Sequence, residues 1–581
     1  MTTRRLGFCA LQLLGLSIFG SGCASLLGLD EFSEGSTTGT PTSSSTGGAG
    51  GMMGTGGTGG AQVCEPATQT ACKSGLPGAC AAGMQTCKPD GAGYATCIPS
   101  VAPSSAPEDC KKIGDENCDG VACSDAVWSF LAGDANTENP RAIAIDATGN
   151  IFVTGGFSGT MKLLNETNKT SVVLNTAGSS DTFLAKFSPK GDVIWAKSFG
   201  NAVDSPGSEA VAVDAAGNVY IAGGFSGKAD YGSGMLMASG NVDAFVAKFD
   251  AAGAPQWSKR FGTSSGTASN SATTLAVDKG GDVVVGGAMS GQVTFGATTL
   301  TVTAGLDVFV TKLTGAMGTV VWAKQFKEKT GSQHNNQLLD RLTTDSTGNI
   351  FLVGRFEADI FFVGSTLPGK IEAAGSPTDS NLFYDAFVAK LDSAGTASWA
   401  KSIATTLFDA ATDIAVDGSG NILVTGQVGG GSADFGGGVV TGPGGSSKLY
   451  NGFIVKYSNI GTHVSSRILP VNQGVSLDSD SDDNVYLTGV LTEASDLGGG
   501  ALPLGGGGDI FLAKLDANLG HLWSKGFGDS SNQDPSMTRY DRSTKTVLLA
   551  GIVKGSIDLG TGLLTGMSTT TYDMALAKFQ P

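Results

Sequence analysis

The side chains best suited to chemistry lie early in the chain. Eight cysteines, Cys64, Cys72, Cys80, Cys87, Cys97, Cys110, Cys118 and Cys123, fall within 60 residues, and none occurs in the 458 that follow. A dense, even set of thiols in an exported chain forms a disulfide framework, with a pairing that the sequence does not choose. Segment 63–126 is too short and too poor in Leu, Ile, Val and Phe to be held by burial, so crosslinks must supply its stability. A structural zinc site is the competing chemistry, but the segment has no histidine to complete it.

Beyond that segment, candidate catalytic groups do not assemble. His334, His463 and His521 belong to three different repeat units, and Gly-x-Ser-x-Gly, His-Glu-x-x-His and a phosphate-cradling glycine loop are all missing from the sequence. The string "LDSDSDDN" at 477–484 resembles an Asp-x-Asp-x-Asp calcium loop. It has no Gly after Asp482, and Gly489 stands where the twelfth-position Glu would be, so a lengthened turn is expected.

The first residues read as an address. "MTTRR", the apolar "LGFCALQLLGLSIF" and "GSGC" follow the order of a bacterial export signal over 1–22. The site resembles a lipoprotein signal, with Gly20 where that pattern has Leu. The resemblance implies that Cys23 is lipidated, and Ala24 after it implies the outer membrane or cell surface. Residues 23–62 then form a Gly/Ser/Thr-rich tether of on the order of 30 Å. The net charge of −16 leaves no footprint for nucleic acid. No later apolar run is long enough for a membrane helix, so membrane contact is expected only through the lipid.

The rest of the chain, 127–581, is repetitive. Asp-x-x-Gly-[Asn/Asp]-[Ile/Val] starts at Asp146, Asp214, Asp278, Asp345 and Asp417, with degraded copies at Asp480 and Asp541. A second anchor, "DTFLAK" at 181–186, also recurs seven times. Each unit has four period-2 runs and no helical period, which predicts a four-stranded antiparallel sheet, and seven such sheets predict an all-β, seven-bladed β-propeller. The repeat Asp is expected to hold the first turn, one carboxylate being too few for calcium.

Trp195, Trp257, Trp322, Trp399 and Trp523 mark the fourth strands and are expected to pack between blades. Counted with Trp128, Ser465 takes the sixth place in that series. Trp128 precedes the first unit while the chain stops after a third strand, so the N-terminal strand is expected to close the ring.

Through "VDxxGNVYxxG" and "DxFVAKxDxxGxxxW" the chain resembles the SBBP-type β-propeller repeat of bacterial exported proteins, which implies a propeller and specifies no ligand. The segment "CAAGMQTCKPDGAGYATC" with "EDCKKIGDENCDG" resembles a Cys-rich, metal-binding module of bacterial surface lipoproteins. That resemblance implies calcium as the one cofactor, held by Asp115, Asn117 and Asp119, in an acidic run shorter than the module's usual ladder. The alternative is a solvated loop stapled by Cys110 and Cys118.

These readings point to a non-catalytic, lipid-anchored surface scaffold that binds a surface protein or a polysaccharide. The alternatives are a glycan-acting enzyme and a structural envelope component; three or more acidic or histidine side chains converging in one pocket would favour the enzyme. Any ligand is expected on the face carrying the variable second-to-third strand connections. The fourth unit has the longest, with Phe361, Phe362, Phe383 and Tyr384 as its candidate contacts, or else as packing for the insertion.

Overall fold

A computed structural model describes residues 69–73, 82–86, 98–99 and 126–580, apart from 166–169, 202–206, 263–265, 328–335, 358, 363–364, 369–383, 443–449 and 567. Cys23, Cys64, Cys80, Cys87, Cys97, Cys110, Cys118, Cys123, Asp115, Asn117, Asp119, Phe383 and His334 lie outside the described residues. The chain divides into two compact units. In the smaller, Gln69–Lys73, Ala82–Thr86 and Ile98–Pro99 form an antiparallel sheet, with Cys72 opposite Gly83.

The larger unit is a seven-bladed propeller of four-stranded antiparallel sheets. The innermost strands are Glu138–Ile145, Gly207–Val213, Ser271–Val277, Gln337–Thr344, Ala410–Val416, Gln473–Ser479 and Gln533–Asp541. Second and third strands such as Ile151–Phe157 and Asp181–Phe187 are buried almost throughout, because each is covered by a blade on either side. In the last blade, Gln533–Asp541, Thr546–Val553 and Asp573–Phe579 are completed by Ala126–Ala132, which pairs with Asp573–Phe579 from Ala126 opposite Phe579 to Ala132 opposite Met574. The N-terminal strand closes the ring, as the position of Trp128 predicts.

Both repeat anchors have a mechanical explanation. Asp146 Oδ1 accepts from the backbone N–H groups of Thr148 and Asn150, and its Oδ2 accepts from the Asn150 side chain at 2.8 Å. The carboxylate is occupied by its own turn, while Gly149 takes a φ of 80°. The Asp480 turn is not lengthened. It keeps the common length, with Asp483 at a φ of 62° where five of the other turns have Gly and the Asp541 turn has Lys545 at a φ of 53°, and Asp483 Oδ1 accepts from the Ser419 N–H of the neighbouring blade.

At three seams the lysine of the second anchor and the tryptophan of the fourth strand form a clasp on one carbonyl of the next blade. Trp399 Nε1 donates to the Asn459 carbonyl in the next blade's third-to-fourth turn, and Lys390 Nζ reaches the same carbonyl at 3.2 Å. Trp128 and Lys578 converge in the same way on the Pro189 carbonyl, and Trp257 and Lys248 on that of Gly315. The indoles lie on the turn glycines: a Cβ on Gly191, Gly253, Gly318, Gly395 or Gly461 would come within about 3.0 Å of a tryptophan carbon of the preceding blade. These tryptophans are inter-blade packing, each indole worth roughly 4–6 kcal/mol gross.

Blade five has Ser465 instead of the indole, and the facing turn has Leu519 instead of glycine. Leu519 holds a φ of 67° and is fully buried, so its side chain fills the space that the indole fills elsewhere.

The second-to-third connections were expected as variable loops. Each instead contains a two-stranded hairpin, such as Lys228–Asp230 with Met235–Met237 or Gln292–Phe295 with Thr298–Thr301. Their tips lie at the start of the outermost strand, where a Cβ on Gly232 would meet Pro255 and one on Gly498 would meet His521. The hairpins therefore fold back along the rim beside an otherwise bare strand edge. A buried Tyr231, Phe295, Phe362 or Phe435 fastens four of them to the third strand, with Tyr231 stacked 4.1 Å from Phe245.

Candidate functional site

Every innermost strand contains one bulge, at the same place. The register shifts between Pro140 and Ala142, Ser208 and Ala210, Ala272 and Thr274, Leu339 and Arg341, Ala411 and Asp413, Gly474 and Ser476, and Pro535 and Met537. A bulge re-aims the extra residue. The seven extra residues, Arg141, Glu209, Thr273, Asp340, Thr412, Val475 and Ser536, form a ring, and all but Thr412 line one cavity of about 530 Å3 at the mouth of the central channel. This mouth opens on the side where the chain passes from blade to blade. Toward the Asp-x-x-Gly turns the channel holds a second cavity of about 400 Å3, and Arg341 lines both.

A buried charge cluster lies between them. Asp413 Oδ2 accepts from Ser476 Oγ at 2.5 Å, from the Leu477 N–H at 3.1 Å and from Arg539 at 3.1 Å, and Arg341 lies 3.5 Å from Oδ1. Burial would raise Asp413, but Arg539, Arg341 and these hydrogen bonds outweigh it and hold it below the usual carboxylate range. Burial likewise pulls Arg341 down, against the opposing pull of Asp413.

The same level joins neighbouring blades through their inner strands. The residue after the bulge accepts from the next blade's backbone at four seams: Thr274 from Leu342, Asp413 from Leu477, Ser476 from Thr538 and Met537 from Ile143.

The mouth itself is rich in charge of both signs. Arg141 and Glu209 pair at 3.7 Å, and Arg355 and Asp340 at 3.3 Å, with the Arg355 guanidinium over the Tyr384 ring. Asp534 also lines the mouth. Burial raises Asp340 against the pull of Arg355 and Arg341, and burial alone raises Asp534. The carboxylates Glu209, Asp340 and Asp534 thus converge in one pocket.

Of the sequence-predicted contacts, Tyr384 reaches the mouth only through Arg355, and Phe361 and Phe362 do not line it. Phe362 is fully buried against Phe326 and Phe387, and Tyr384 is buried beside Phe408; Phe361 is exposed on its hairpin. His463 and His521 each bond a serine three residues on, His463 to Ser466 and His521 to Ser524, and do not approach the mouth. Among the described residues no group of three or more His, Cys, Asp or Glu is arranged to hold a metal ion. The mouth residues carry a faint signal in sequence: a charged residue five places before the repeat Asp, as in "RAIAID" and "EAVAVD", interrupting an apolar strand.

No protein-family model matches the chain. It is 29% identical over 159 residues to the uncharacterized WD repeat-containing protein L264 of Acanthamoeba polyphaga mimivirus, a match covering 26% of this chain and 11% of that protein. The chain therefore spans about a tenth of the length of that curated relative. Solved structures with a similar course include quinohemoprotein alcohol dehydrogenase from Comamonas testosteroni, at 12% identity and a TM-score of 0.36 over 78% of this chain and 76% of that one. BamB from Moraxella catarrhalis aligns at 13% identity and a TM-score of 0.25 over 62% of this chain and 96% of that one.

Proposed function

We propose that the chain is a lipid-anchored cell-surface scaffold of the SBBP-repeat type, attached through Cys23, spaced by its tether and Cys-rich module, and binding an extracellular polymer at the channel mouth without catalysis. The observation that carries this reading is the bulge ring, which aims six of its seven side chains, of differing chemistry, at one opening while the rest of each blade repeats. About 530 Å3 lies within the usual range of ligand sites, roughly 300–1,000 Å3. Guanidinium–carboxylate pairs and the hydroxyls of Thr273 and Ser536 offer donors and acceptors with little net charge. That chemistry suits a neutral, hydroxyl-rich ligand such as a polysaccharide segment.

The test is a pull-down of surface polysaccharides and envelope proteins by the whole chain, alongside Arg355→Ala and Glu209→Gln. Capture should fall at least about tenfold in both variants, equivalent to about 1.4 kcal/mol; capture that survives both removes the mouth from consideration.

A glycan-acting enzyme is the second reading, favoured by the convergence of Glu209, Asp340 and Asp534. Asp534, raised by burial, is its candidate general acid. Release of reducing ends by the whole chain, lost in Asp534→Asn, would establish it over binding alone.

A further inference from the structure

At six of the seven blades the third strand opens with a buried aspartate, and at two seams the side chain that opens the next blade's innermost strand lies beside it. Between blades three and four that residue is Gln337, whose side-chain amide, turned so that both of its ends are satisfied, puts its nitrogen 2.9 Å from both Asp307 Oδ1 and the Leu306 carbonyl. Gln337 pairs with Phe356 at the start of its strand, and Glu138 pairs with Phe157 at the equivalent place in blade one. Glu138 therefore stands where an amide donor stands in its counterpart, at the seam joining the last blade to the first.

Among the described residues no cation acts on Glu138. It is fully buried, and neither carboxyl oxygen has a hydrogen-bond partner of good geometry. Its own N–H donates to the Tyr572 carbonyl at 2.9 Å, which fixes it beside Asp573. A Cβ on Gly133 would collide with both Glu138 Oε2 and Asp573 Oδ1, so the two oxygens face the same point. The charged groups facing it are Asp573, from the last blade's third strand, and Asp134, from the link between the closing strand and blade one; both are negative. Asp409 opens blade five in the same manner, but three donors serve it: the Thr405 N–H, the Thr405 hydroxyl and the Gly429 N–H.

We infer that Glu138 carries a proton at neutral pH and donates it in a hydrogen bond to Asp573, so that the ring-closing seam is bolted by an acid–carboxylate pair that alkali withdraws. Burial, and then the charges of Asp573 and Asp134, outweigh the downward pull of the Asp134 backbone N–H and push Glu138 up to about 9. The folded value lies above the unfolded one, so the stabilisation relative to a permanently neutral side chain is complete below about pH 4.5. It is lost progressively as pH rises toward 9.

The test compares the whole chain with Glu138→Gln, which donates at every pH as Gln337 does. The wild type should melt at a progressively lower temperature than the variant between pH 5 and pH 9, the gap widening by at least about 2 °C. The infrared difference spectrum at pH 7 should contain a carboxylic-acid C=O band present only in the wild type. Parallel melting curves with no such band overturn the inference, as does a gap that closes on adding calcium, which would assign the site to a cation. Should Glu138→Gln not fold, Asp573→Asn removes the neighbouring charge and should lower the pH at which the acid band disappears; an unmoved band overturns the inference equally.

Discussion

The seams and the channel mouth follow opposite rules. Five seams set an indole on a turn glycine, and where the indole is missing, at Ser465, the facing residue changes with it to Leu519. At the bulge position the series runs Arg141, Glu209, Thr273, Asp340, Thr412, Val475, Ser536, with no such repetition. Packing between identical neighbours admits one good solution, which every blade must adopt. A side chain aimed into the channel is released from that constraint, and variety there is where recognition can be written.

Three experiments strain this contrast. Deleting residues 126–132 should have the largest effect: the last blade loses its outer strand and the ring its closure, so cooperative unfolding should vanish and aggregation rise. An unchanged thermal transition would count against closure as the source of stability. Next, Asp413→Ala should cost about 3–5 kcal/mol in chemical denaturation, because it strands Arg341 and Arg539 together in the channel. A cost below about 1 kcal/mol would place this cluster with the dispensable mouth residues. The smallest effect is the most discriminating. Leu519→Gly should cost about 1–3 kcal/mol, the cavity being partly offset by relief of the left-handed backbone. Adding Ser465→Trp should return most of that loss, and a double variant no better than the single one would show that indole and glycine are not a unit.

Much of this architecture is legible in the sequence because it repeats. The Asp-x-x-Gly turn, the buried "DxFVAK" strand and the stray Trp128 fix blade number and closure without any side-chain geometry. The rim hairpins escape notice because their strands are as short as two or three residues. Their anchor, an Asp before Tyr231, Phe435, Leu497 or Leu559 and then a glycine, becomes visible only when the blades are superposed. The mouth is harder still. A bulge shifts the register by one residue, so a period-2 reading assigns Arg141 or Glu209 to the wrong face. Phe362 and Tyr384 look like contacts because they stand in the longest insertion, yet their burial comes from neighbours distant in sequence.

Closure by the first strand also sets an order of events during biogenesis. Ala126–Ala132 is made before any complete blade, yet among the described residues its one ladder partner is Asp573–Phe579, the last strand. It must wait, unpaired, while six blades form, and docks only when the final repeat has arrived. Contacts so distant along the chain are slow to form and leave edges open to misassembly meanwhile. A product that loses its last strand has no partner for the first and remains visible to quality-control proteases, so the ring inspects its own completeness.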